Sequence, residues 1–151
     1  MKNYILFLSV FLFVFSACSK NDADKDDNKN CEAYYEGPDC ETRQTAKFEG
    51  EYTGTFDGFN YNKKEITIVQ DLAKINGLRI TFINAAINAE LTSSKAFQIP
   101  EQDFDYDFNS TIEGTGALEN NSISISGQIY VPEQGTNSPE QTIDFQYDGV
   151  K

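Results

Sequence analysis

Few residues in this chain of 151 can do chemistry, and they fall into three groups: three cysteines, 24 acids and 20 tyrosine or phenylalanine rings; there is no histidine and no tryptophan. The absence of histidine removes the commonest general base, the commonest transition-metal ligand and the usual switch near neutral pH. Of the thiols, Cys18 directly follows an apolar run, whereas Cys31 and Cys40 stand nine positions apart. Outside the cytoplasm such a pair oxidises, and closing so short a loop stabilises by about 2–3 kcal/mol. Zinc is not expected from two thiolates at this spacing.

The acids offer metal-binding and acid–base chemistry, but their spacing argues against both. Asp22, Asp24 and Asp26 begin like a calcium loop, yet Asp27 stands where the turn needs glycine and Ala33 where the bidentate glutamate belongs. Asp103, Asp105 and Asp107 alternate with aromatics. On a strand such neighbours lie about 6.5–7 Å apart, too far to share one ion. Paired carboxylates also serve retaining glycosidases, but acids this abundant form pairs by chance. No nucleophile elbow or phosphate loop is present. The expectation is therefore no catalytic residue, no metal and no cofactor. Phe56, Phe59 and Tyr61 flank the Asp57-Gly58 turn. They are the candidate ligand contacts, able to stack on a sugar or line an apolar pocket, or else they cap the core.

The net charge is −12 from 12 basic and 24 acidic residues. Loss of the first 17 residues would take Lys2 and no acid, leaving −13. A surface of this sign repels nucleic acid, whose phosphates call for lysine and arginine.

The elements that would carry these groups differ along the chain. Lys2, the apolar run from Tyr4 to Phe15, and Ser16-Ala17 form the charged, apolar and small-residue order of a secretory signal. The run is shorter than the ~20 residues of a spanning helix, and no other stretch approaches that length. Phe15-Ser16-Ala17-Cys18 resembles a bacterial lipobox, with Phe15 in place of the usual leucine. The resemblance implies cleavage between Ala17 and Cys18 and acylation of Cys18. Two or three acyl chains anchor stably where one does not. Residues 18–30 hold no apolar residue larger than alanine and read as an acidic disordered tether. Ser19-Lys20 followed by acids is similar to the export stretch of Bacteroidetes-type lipoproteins. An outer-membrane location follows, on either the periplasmic face or the cell surface.

Residues 31–46 read as a disulfide loop. Cys31, Tyr35, Gly37 and Cys40 match the last loop of an epidermal growth factor-like module, with Tyr34 replacing its first glycine. The other four cysteines of such a module are missing, so the resemblance covers about ten residues and implies a Cys31–Cys40 bridge.

Residues 47–151 read as one all-β domain. Strands are expected over Lys47–Phe56, Glu65–Val69, Leu78–Ile83, Ile87–Leu91, Ala96–Ile99, Asp103–Phe108, Thr111–Leu118, Ser122–Val131 and Thr142–Tyr147. Pro100 is expected to stop one strand, and a short helical turn is expected near Gln70–Ile75. Seven to nine short sequential strands make an antiparallel meander, either a small lipocalin-like barrel or a β-sandwich. Ile99-Pro100-Glu101-Gln102 and Gly114-Thr115-Gly116 are similar to steps that recur in small Bacteroidetes-type lipoproteins with a cysteine loop ahead of a β domain. The expected function is a lipid-anchored, non-catalytic envelope protein that binds a small or polymeric ligand or a partner protein. A structural or assembly role is the alternative, and a hydrolytic enzyme the third reading.

Overall fold

The computed structural model describes residues 31–58, 65–82, 85–104, 109–133 and 139–151. Ala17, Cys18, Phe59, Tyr61, Asp105 and Asp107 lie outside them.

The described chain opens with a small hairpin. Strand β1 (Tyr35–Glu36) pairs antiparallel with β2 (Thr42–Arg43), setting Tyr35 opposite Arg43. Cys31 and Cys40 are disulfide-bonded, with their Cα atoms 5.3 Å apart. The Gln44 N–H donates to the Tyr34 carbonyl at 2.8 Å and turns the chain into a 3-10 helix, Gln44–Phe48. Thr45 and Phe48 of that helix are fully buried.

Eight strands follow: β3 (Gly50–Asp57), β4 (Glu65–Gln70), β5 (Gly77–Phe82), β6 (Ala85–Ser93), β7 (Ala96–Phe104), β8 (Ser110–Glu119), β9 (Ser122–Val131) and β10 (Gln141–Val150). Each pairs antiparallel with its sequence neighbours, and β10 returns to β3, so the meander closes into a barrel of lipocalin-like type. Closure removes the free edges that would recruit other chains. The strands form because apolar and polar residues alternate with period two, which places one set on the inner face. Ile66 and Ile68 of β4, Leu78 and Ile80 of β5, and Ile123 and Ile125 of β9 point inward and are 0–2% exposed.

Two local expectations are corrected. Pro100 does not end its strand: β7 runs on to Phe104 through a bulge between Ile99 and Gln102, where three steps on β7 match two on β8. Proline cannot donate to the β6 ladder, and a side chain replaces its missing group. The Gln102 amide accepts from the Asn88 N–H and donates to the Asn88 carbonyl, both at 2.8 Å. The extra residue also reverses the facing of the strand, so Phe97 and Ile99 point inward before it and Phe104 after it. The second correction concerns residues 71–76, which form successive tight turns rather than a helical one. The Asp71 carboxylate takes the Ala73 N–H at 2.9 Å, a local bond that favours a turn over a helix. The 3-10 helix lies at Gln44–Phe48 instead.

Strand direction defines two ends. At the end where the N-terminal hairpin joins, Phe48 packs edge-on to Phe97, with ring centroids 5.7 Å apart. The Tyr52 hydroxyl donates to the Phe48 carbonyl at 2.9 Å, and the Tyr147 hydroxyl donates to the Tyr52 carbonyl at 2.8 Å. At the opposite end Phe56 stacks on Phe145 at 5.7 Å, and Phe82 lies edge-on to both.

Candidate binding site

Along its described length the barrel interior is occupied by its own side chains. Tyr52, Ile68, Leu78, Ile80, Phe97, Ile125 and Tyr147 are 0–1% exposed, which leaves no room for a water beside them. Phe56, the described member of the three predicted ligand contacts, sits half-buried in the aromatic layer at the end away from the hairpin. Cys31 and Cys40 meet in the bridge, and Asp103 lies exposed on β7. Among the described residues, no group of three or more cysteine or acidic side chains is placed to hold a metal ion. No described helix is long and apolar enough to cross a membrane.

Among the described residues, two hollows lie on the outer wall. A groove of about 530 Å³ runs over β7, β8 and β9, lined by outward Gln98, Glu101, Glu113, Thr115, Ser126 and Gln128. A second hollow of about 240 Å³ shares Glu101, Glu113 and Gln128 with it and extends to Thr111, Tyr130 and Thr142. The two form one trough across the wall.

Two local features shape it. The bulge at Pro100 lifts β7 out of the regular ladder and forms one bank. Gly114 and Gly127 stand directly opposite each other on β8 and β9, both on the inner face, and their backbones line the trough. A Cβ on Gly127 would lie 2.1 Å from the Glu113 carbonyl oxygen, so the two strands come closer here than any side chain permits.

The lining mixes acidic, amide and hydroxyl side chains with apolar surface that includes Ile99 and Pro100, and it carries one ring. The Gln128 amide donates to the Asp144 carboxylate at 2.8 Å and is thereby held in place. Tyr130 is 38% exposed. Its hydroxyl is raised above the usual phenol range, first by partial desolvation and then by its hydrogen bond to Glu140. Carboxylates and amide oxygens accept hydrogen bonds, amide N–H and hydroxyl groups donate them, and the ring offers a face for stacking. The trough has no lysine or arginine and so no complement for an anion.

The candidate ligand contacts read from the sequence lie at the Asp57-Gly58 turn, of which Phe56 is described, and this wall was not singled out beside them. The available signal was Pro100 inside an otherwise regular strand pattern, which marks a bulge. What it did not reveal was that β8 and β9 bring their glycines to the same level.

Fold and trough together define a class: a small closed antiparallel barrel whose interior is filled along its described length, with a disulfide hairpin at one end and a trough outside that carries acidic and amide side chains. Comparison with family models, with curated proteins and with solved structures finds no match to this chain.

Proposed function

We propose that the protein is a lipid-anchored lipoprotein of the outer membrane and that its barrel is a non-catalytic binding module. It carries its ligand on its outer wall rather than in its lumen. The single observation behind the binding reading is the pairing of an interior packed along its described length with an outer trough that carries acidic and amide side chains. The ligand class that suits the trough is a hydroxyl-rich, uncharged chain, a glycan above all. Its hydroxyls would donate to Glu101 and Glu113 and exchange bonds with Gln98 and Gln128, while one sugar face stacks on Tyr130. A trough open along its length takes a polymer in passing, whereas a small ligand needs a cavity that encloses most of its surface.

The anchor rests on the signal-like leader and on Cys18. The resemblance to Bacteroidetes-type lipoproteins supports the outer membrane, on its periplasmic or its outer face. Metabolic labelling with an alkyne fatty acid should mark the wild type and not Cys18→Ala; equal labelling would refute the anchor. Affinity electrophoresis through gels containing neutral polysaccharides tests the trough. At least one glycan should retard the wild type, and Tyr130→Ala with Gln128→Ala should restore free migration. Release of reducing sugar from a retarding glycan would overturn the non-catalytic reading.

A further inference from the structure

The barrel end that receives the N-terminal hairpin carries an exposed apolar tip with no part in the trough. It is the turn between β4 and β5, where Leu72 is 80% exposed, with Ile75 at 39% and Val69 at 43% beside it. This tip is held outward by a bonded frame. Asp71 and Gly77 close the turn through an N–H···O bond of 2.9 Å, the Leu91 N–H donates to the Asn76 carbonyl at 2.9 Å, and Lys74 pairs with Glu90 at 2.6 Å. Leu72 therefore presents its side chain to solvent from a fixed base. The tip adjoins the point where the N-terminal segment arrives. Thr45 of the 3-10 helix donates to the Gln70 side chain at 2.9 Å, and Gln70 in turn donates its N–H to Glu49.

Two further observations say what covers it. The chain before Cys31 reaches back thirteen residues to Cys18, a span of at most ~47 Å. An acylated Cys18 therefore holds this end within about 47 Å of the lipid, and the other end is reached only through the barrel. Charge is also unevenly spread. Every lysine and arginine among the described residues lies in this half: Arg43, Lys47, Lys74, Arg79, Lys95 and Lys151. The far half carries acids, Asp57, Glu65, Glu101, Glu113, Glu140 and Asp144 among them, and no cation among the described residues, Lys63 and Lys64 lying outside them. The hairpin half is also net acidic, with Glu36, Asp71 and Glu90 among its acids, but its six cations partly offset them. An anionic surface repels the far half more strongly than this one.

We propose that the hairpin end of the barrel docks on the bilayer that holds the anchor, with Leu72 inserted at the headgroup boundary and Ile75 and Val69 flanking it. The trough then stands on the side wall, open to the aqueous phase. This inference rests on the lipid-anchor reading above, and the test separates the two.

The lipidated full chain bearing Leu72→Cys is labelled with an environment-sensitive fluorophore and reconstituted into phosphatidylcholine–phosphatidylglycerol vesicles. In the lipidated protein Cys18 is acylated and Cys31 is bridged to Cys40, so the new thiol is the site of labelling. Thr115→Cys on the trough is labelled in parallel, and Ile75→Cys reads the same tip should Leu72→Cys fail to fold. Docking requires that the protein float with the vesicles, that the tip label shift to the blue and be quenched by nitroxide lipids, and that the Thr115 label do neither. Flotation with an unshifted tip label overturns docking and leaves the anchor standing. A blue shift without nitroxide quenching assigns the tip to a second copy of the chain and also overturns docking. Loss of flotation refutes the anchor, and docking with it.

Discussion

Gln102 shows how one side chain repairs a break in the fold. The β6–β7 ladder ends at Glu90 opposite Gln98, and extending its register sets Asn88 opposite Pro100, which has no N–H to donate. The Gln102 amide has the donor and acceptor of a peptide group and bonds both backbone groups of Asn88. Because water can reach this site, Gln102→Ala should cost about 0.5–1.5 kcal/mol in chemical denaturation, with a glutamate variant only partly restoring it. Tyr147 carries a different consequence. Burial first, and the nearby Glu65 carboxylate second, raise its hydroxyl from 10.0 to about 12. A raised phenol favours the folded state fully below pH 10, and that contribution fades as pH climbs through 12. Thermal melting should therefore fall across this alkaline window, and Tyr147→Phe should flatten the fall. A wild-type melting curve indifferent to pH over that window would contradict the assignment.

Glycines let the strands coil tightly, and aromatic rings cover the gaps. Phe97 on β7 lies directly across from Gly116 on β8, with its ring where a side chain would be: a Cβ on Gly116 would sit 2.1 Å from the ring. Gly116→Val should push Phe97 off its rotamer and destabilise by about 1–3 kcal/mol, read as a lower denaturation midpoint at unchanged slope. The hairpin is a separate matter. Tyr34 packs against the core, but the bridge closes its own short loop outside the barrel. Reduction should speed amide exchange over residues 31–43 while leaving exchange in β4 and β9 slow. Most strands were legible in sequence because alternation with period two is a local signal. The run through Pro100 was not, since the bond that carries it comes from Gln102 to a residue on another strand. Nor was the 3-10 helix, whose short segment has no periodicity of its own and is set by burial of Thr45 and Phe48.

On the scale of the whole molecule, closure is what makes these parts one unit. β10 joins β9 along its full length and β3 along half of it, from Gln146 opposite Asp57 to Val150 opposite Thr53. A chain ending before Gln141 would leave β3 and β9 as open edges, and it should aggregate rather than unfold reversibly, as light scattering would report. Because the interior is packed along its described length, the proposed ligand site is the outer wall rather than the lumen.

Sequence alone determined the composition of the problem: no histidine, a lone cysteine after an apolar leader, a close cysteine pair and strands by alternation. Each is a property of residues near one another along the chain. The tertiary structure decided closure over a sandwich, the bulge that reverses β7, the glycine pair under the trough and the exposed tip beside the hairpin. Those depend on contacts between distant residues, such as the Tyr147 hydroxyl on the Tyr52 carbonyl across 95 positions. No local pattern encodes such pairings, because the register that brings them together is set by all eight strands meeting around one core.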